Sequence, residues 1–210
     1  MDKLTEFIVH FGDIVELNFP QWNCVASTEI LLKHPGWQHY NPRKPINRKG
    51  LSVTSLDGGY SGIPDLDSLN EYNRLHNTNY TDTDFKNRTS IVNHIPELNY
   101  MLDIFPDHGR CHFLRLDSGG FFPPHRDNGL ASTNPFTFRL LVPICNFDKY
   151  NLVWIQEDKI LKFEHGITYF INTTKVHHLF SFIDMCCCFV MNIKVTSNSI
   201  QTLLNYLKIT

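Results

Sequence analysis

Gly120-Phe121-Phe122-Pro123-Pro124-His125-Arg126-Asp127 sets a histidine and a carboxylate two residues apart. In an extended segment, side chains at i and i+2 point the same way, so His125 and Asp127 can reach one ion from a single strand end. A third ligand must come from elsewhere, and the adjacent His177 and His178 are the downstream candidates. The chain between is long enough for several hairpins to bring either one back. Neighbours on a strand face opposite sides, so only one of the two can point at the ion. Two histidines and one carboxylate on one face of Fe(II) leave its other positions open for a cosubstrate and O2. Zinc more often takes a tetrahedral set richer in nitrogen or sulfur. A surface His-Asp pair that caps a turn is the plainer alternative. The setting favours the metal: a Gly-Gly turn and a strand-like run at 111–116 precede the motif, and a Gly/Asn-containing loop and a second run at 136–144 follow it.

Working outward, the C-terminal half is a series of short β-branched and aromatic runs divided by turns, at 111–116, 136–144, 152–156, 160–163, 167–172, 179–182 and 187–195. Such a series predicts a mainly β fold, a sandwich or jelly roll. Glu157-Asp158 reads as a hairpin tip, Gly166 starts another strand, and Ile200, Leu203, Leu204 and Leu207 form a helical stripe able to cover one end of a barrel. Residues 4–32 show no single period and fit either helix or strands. Between 50 and 99 the chain is rich in Asn, Asp, Thr and Gly. A turn is expected at Asp57-Gly58-Gly59 and a helix from Asp65, with Leu66, Leu69, Tyr72 and Leu75 as its buried stripe.

At 210 residues the chain suits one domain, with 1–109 as an N-terminal flank on the substrate side, 110–195 as the β core and 196–210 as a closing helix. A net charge of −2 with scattered basic residues gives no nucleic-acid or lipid-binding footprint, and Arg43-Lys44 and Arg48-Lys49 read as solvated loop. No apolar run approaches a bilayer span, and the N-terminus lacks the order of a secretory signal, so a soluble, cytoplasmic protein is expected. The six cysteines include Cys186, Cys187 and Cys188 in an apolar run and form no Cys-x-x-Cys pair, which suits buried free thiols.

Residues 110–195 resemble the double-stranded β-helix core of the Fe(II)/2-oxoglutarate dioxygenases, most closely the aspartyl/asparaginyl β-hydroxylase and proline hydroxylase branch. Pro124-His125-Arg126-Asp127 is similar to the branch's Pro-His-x-Asp turn. Arg139-Leu140-Leu141-Val142-Pro143 is similar in part to its Arg-x-His-x-Pro strand. His177-His178-Leu179-Phe180-Ser181 resembles its His-x-Val-x-Asn segment, which selects His177 over His178. The resemblance implies that His125, Asp127 and His177 are the catalytic metal ligands, that Fe(II) and 2-oxoglutarate are the cofactors, and that O2 hydroxylates an amino-acid side chain with release of succinate and CO2. Asp, Asn or Pro, free or within a peptide or protein, is the implied target. Asp127 fills the position that halogenating relatives leave open, which favours hydroxylation.

Two departures stand out. Leu141 replaces the strand histidine, and Cys187 stands near where the family places the arginine that holds the far carboxylate of 2-oxoglutarate. A dicarboxylate in an apolar cavity needs a paired cation. Arg139 is the leading substitute because a guanidinium matches a carboxylate bidentately, with Arg115, Lys194 and Arg110 behind it. Phe121, Phe122, Trp154 and Tyr169 are candidates to shield the centre from water. A non-catalytic cupin-like binding protein and an O2-using metalloenzyme without 2-oxoglutarate are the competing readings, and the oligomeric state is open.

Overall fold

The structure, a computed structural model, describes residues 3–41, 46–60, 69–127 and 136–208. In chain order the elements are α1 (Lys3–His10), β1 (Ile14–Leu17), α2 (Cys24–Lys33), β2 (Gln38–His39), β3 (Arg48–Ser52), β4 (Thr54–Ser55), α3 (Leu69–His76), β5 (Asn87–Arg88), α4 (Pro96–Ile104), β6 (His108–Leu116) and β7 (Phe121–His125). There follow β8 (Thr137–Cys145), β9 (Leu152–Gln156), β10 (Lys159–Leu161), β11 (Thr168–Ile171), β12 (His177–Ser181), β13 (Cys186–Lys194) and α5 (Ser197–Asn205).

The strand β13 reads Cys-Cys-Cys-Phe-Val-Met-Asn-Ile-Lys and is buried at every residue but the last, so it must be covered on both faces. It sits in the middle of a seven-stranded sheet ordered β1-β11-β8-β13-β6-β3-β2. A four-stranded sheet, β10-β9-β12-β7, faces it. From β6 to β13 the chain passes back and forth between the two sheets, with β9 and β10 as a hairpin within the small one, and every pairing is antiparallel, which is the winding of a double-stranded β-helix. The sheets enclose Leu114, Leu116, Leu141, Trp154, Tyr169, Leu179, Cys186, Cys188 and Val190. The outer face of the large sheet carries Phe113, Leu140, Val142, Cys187, Phe189 and Met191, packed against Trp22, Leu31, Met101 and Leu203 from the helical side.

Local chemistry sets the turns. Glu157 and Asp158 both take positive φ, 44° and 69°, giving the two-residue turn that joins β9 to β10 and matches strand twist. The side chain of Asn23 caps α2 by accepting from Ala26 N at 3.1 Å, and Thr196 caps α5 by accepting from Ser199 N at 3.0 Å. Pro123 and Pro124 lie in β7, the edge strand of the small sheet, where a missing N–H breaks no ladder.

Each strand-like run of the sequence overlaps an observed strand, with ends shifted by a few residues. The undecided 4–32 stretch is α1, β1 and α2, and β1 extends the large sheet through β11. Several expectations need correction. Asp65 and Leu66 lie outside the described residues, and α3 begins at Leu69. Its stripe is not buried beyond Leu69, since Tyr72 is half-buried and Leu75 is 59% exposed. α5 packs on the outer face of the large sheet, with Ile200 and Leu203 in that core, and does not close an end. Arg43 and Lys44 are outside the described residues, whereas Arg48-Lys49 is not loop: both residues belong to β3, and Arg48 is buried. No helix among the described residues is long and apolar enough to cross a membrane.

Phe189 is fully buried with its ring 5.3 Å from Trp22 and 5.5 Å from Phe113, so it joins β13 to both β6 and the helical layer. Phe189→Ala is expected to cost about 3–5 kcal/mol, the range for truncating a buried aromatic. A urea-unfolding midpoint left unchanged by this substitution would contradict that packing.

Candidate metal centre

β7 and β12 are antiparallel neighbours in which His125 and His177 are direct partners. The two rings therefore meet across the ladder with centroids 4.3 Å apart. Asp127 lies just past the end of β7, where its N–H donates to the Thr173 carbonyl at 2.9 Å and turns its carboxylate inward. His125 Nε2 is 3.5 Å from Asp127 Oδ1, and His177 Nε2 is 3.9 Å from Asp127 Oδ2. One ligand atom from each of the three residues lies within 4.8 Å of the other two. His178, half-buried, points to the opposite face of β12.

Backbone carbonyls select the imidazole tautomers. His125 Nδ1 faces the Pro123 carbonyl at 2.7 Å and His177 Nδ1 faces the Lys175 carbonyl at 3.0 Å. A carbonyl only accepts, so each Nδ1 carries the proton and each Nε2 presents a lone pair to the shared centre. His177 is 2% exposed, and its burial drives its pKa down to about 4 against the pull of Asp127. The ring is thus neutral and able to ligate at ordinary pH. Aromatic faces hold both imidazoles: Trp154 stacks on His177 at 5.5 Å and 14°, and Phe122 stacks near His125 at 5.8 Å.

For Asp127, burial is the largest single influence and works against ionisation, but Arg139, His177, His125 and Arg110 act together against it and hold the carboxyl below the usual range. Arg139 Nη1 donates to Asp127 Oδ2, while Arg139 Nε donates to Asn192 Oδ1 at 3.0 Å. Two imidazoles and a carboxylate form a donor set suited to a divalent first-row ion with open positions. Two buried donors in this region, Asn192 Nδ2 and Trp154 Nε1, have no hydrogen-bond partner among the described residues.

The remaining sequence candidates divide clearly. Cys187 points to the outer core with Phe189, and it is Cys186 and Cys188 that face the space between the sheets. Arg115 is committed to Asp117 at 2.7 Å and Arg110 to Asp82 at 2.9 Å, while Lys194 is exposed at the end of β13. Leu141 lies in the interior beside Tyr169 and Val190. Phe122, Trp154 and Tyr169 line the inner side, but Phe121 is 39% exposed on the outer face and shields nothing.

Sequence reasoning passed over three interior groups. His112, on β6, is buried with Nδ1 unpartnered, and Tyr40 sits between its ring and that of Phe122, with centroid distances of 6.0 and 5.3 Å. Arg48 lies over the Phe122 ring. Alternation in β6 would have marked His112, but nothing in Arg48-Lys49-Gly50 signals an inward arginine.

No protein-family model matches the sequence, and no curated protein matches it. Among solved structures, a prolyl hydroxylase from Trichoplax adhaerens, in complex with a hypoxia inducible factor oxygen degradation domain peptide fragment, is similar with a TM-score of 0.50 and 12% identity, over 95% of this chain and 92% of that one. A Pseudomonas putida prolyl-4-hydroxylase has a TM-score of 0.49 at 11% identity, over 92% and 100% of the two chains. A 2OG-Fe(II) oxygenase family oxidoreductase from Burkholderia pseudomallei has 0.48 at 11%, over 92% and 89%. The first of these likenesses establishes a shared fold.

Burial pushes His112 well below the usual histidine range, with the charges of Arg110 and Arg139 acting in the same direction. Such a group takes up a proton on unfolding between its folded and unfolded pKa values. Stability is therefore full above about pH 6.5 and falls as the pH drops below it, by up to about 1.4 kcal/mol per pH unit for one histidine. His34, His108 and His177, all shifted downward, add to the same trend. Unfolding free energies measured from pH 7.5 to 5 should fall less steeply in His112→Gln, and equal slopes would refute the assignment.

Proposed function

We propose that this chain is an Fe(II)- and 2-oxoglutarate-dependent oxygenase that hydroxylates an amino-acid side chain. The convergence of His125, Asp127 and His177, with both Nε2 lone pairs aimed at one point, carries the reading. The fold held in common with a prolyl hydroxylase supports it. A bound Fe(II) ion would supply O2 activation coupled to oxidative decarboxylation of 2-oxoglutarate to succinate and CO2.

The protein's own part is binding, orientation and exclusion of water. His125 and His177 would donate Nε2 to the ion, and Asp127 would donate a carboxylate oxygen and offset its charge. Arg139 helps to keep Asp127 ionised and oriented, and its N–H donors not engaged by Asp127 and Asn192 would be available to an anionic keto acid bound at the same ion. Phe122 and Trp154 fix the imidazole planes and keep solvent from the centre. All 210 residues would act as one domain, the N-terminal flank 1–109 forming the substrate side.

A peptide or protein bearing Pro, Asn or Asp is the proposed substrate, on the model of the Trichoplax enzyme held with a peptide fragment. A cytoplasmic setting is proposed from the cysteines, all six of which are free thiols, the state that reducing compartments maintain.

Anaerobic addition of Fe(II) and 2-oxoglutarate is expected to produce a weak visible charge-transfer band that Asp127→Ala abolishes. Tight Fe(II) binding without the band would favour an oxygenase that does not use 2-oxoglutarate. No binding of Fe(II) by the unmutated protein would favour a cupin-like binding protein.

A further inference from the structure

We infer that Arg48, on a strand outside the 110–195 core, holds the carboxylate of the keto acid that lies away from the metal, while Arg139 serves the metal end. This inference rests on the function proposed above.

The ladders position Arg48. It pairs with Leu116 across β3 and β6, and Leu116 pairs with Cys186 across β6 and β13. Directly opposed residues project from the same face of a sheet. Leu116 and Cys186 face the space between the two sheets, so Arg48 faces it as well. The ring contacts agree. The Arg48 guanidinium carbon lies 4.1 Å from the centre of Phe122, which belongs to the opposite sheet, and 5.5 Å from that of Tyr40. Phe122 in turn stacks near His125, so the guanidinium is one aromatic ring away from the metal centre.

Arg48 is 6% exposed, so its guanidinium is withdrawn from water among the rings of Phe122 and Tyr40. It has a further interaction in the fold, but five N–H donors leave capacity for a carboxylate beside it.

Arg139 is poorly placed for the same task. One arm is bonded to Asp127 and its Nε to Asn192, which ties it to the coordinating end of any chelating ligand. The far carboxylate of 2-oxoglutarate is separated from the chelating oxygens by two methylene groups, and those need an apolar passage ending at a cation. His125, the apolar ring of Phe122 and the Arg48 guanidinium follow one another in that order on the inner side of the sheets. Cys186, across the same row, contributes no charge, so β13 supplies no alternative cation at this level.

The test compares 2-oxoglutarate with 2-oxobutyrate, which keeps the chelating end and lacks the far carboxylate. Both are titrated anaerobically into the Fe(II)-loaded protein and read by the charge-transfer band. Arg48→Gln is expected to weaken 2-oxoglutarate binding at least tenfold, leave 2-oxobutyrate and Fe(II) binding within twofold, and so erase the preference for the diacid. A preference for the diacid that survives in Arg48→Gln would overturn the inference and leave the metal site standing. Failure of the unmutated protein to bind Fe(II) would instead overturn the function on which it rests. A measurement on the unmutated protein covers the case in which the variant does not fold. With Zn(II) in place of iron, the methylene protons of bound 2-oxoglutarate should show NMR cross-relaxation to the rings of Phe122 and Tyr40. Contacts confined to Tyr169 and Leu141 would place the far carboxylate elsewhere and also overturn it.

Discussion

The pairing of His125 with His177 across β7 and β12 is the constraint from which the centre follows. Two residues far apart in sequence become cross-strand neighbours, and the hydrogen bonds of the ladder set their spacing before any ion is involved. Each ring is then held twice, by a carbonyl at Nδ1 and by an aromatic face. Side chains fixed in this way lose little freedom on binding a ligand, which is what preorganisation means in energetic terms. A bulge between His177 and Leu179 shifts the β7 register, and Asp127 reaches the centre only because the chain beyond His125 bends back to Thr173.

Burial serves the centre in one respect and opposes it in another. It keeps His177 and His112 neutral, and only a neutral imidazole offers a lone pair to a metal. The same low polarity works toward protonating Asp127, and Arg139 together with His177, His125 and Arg110 reverses that tendency. Arg139 is the foremost of the charges that keep Asp127 ionised. Arg139 is itself held in place, its Nε bonded to Asn192 on the central strand of the large sheet.

The parts of this arrangement that could be read from the sequence are those governed by local pattern. The strands from β8 to β13 alternate or run apolar between turns that the backbone marks with positive φ at Asn146, Glu157, Asp158 and Gly166, so their number and order were legible. The strand β7 was not, because two prolines disguise it, and only its edge position makes them harmless. The N-terminal elements are short and draw their stability from packing on the outer face of the large sheet, which no local period encodes. Arg48 was misread for the same kind of reason. Lys49 and Gly50 beside it suggest solvent, and only the long-range pairing of β3 with β6 turns it inward. The choice between His177 and His178 needed a resemblance, since strand alternation says that one faces in but not which.

The two sheets divide the chemistry between them. The small sheet presents the coordinating nitrogens at adjoining strand ends, with Asp127 just past one of them, and the large sheet presents the cations, Arg139 from β8 and Arg48 from β3, on its inner face. A ligand that bridges an ion and two guanidiniums must then lie between the sheets and touch both. Such a ligand would tie β7 to β3 and β8 in addition to the hydrophobic contacts that already join the layers. Because it would bind the folded arrangement alone, its affinity would add directly to the stability of the fold. The arginines lie on strands other than those that carry His125 and His177, so the proposed metal ligands and the proposed anion-binding groups can change independently in sequence. The absence of an arginine from residues 186–193 of β13 leaves the interior with positive charge, because β3 and β8 of the same sheet face the same space.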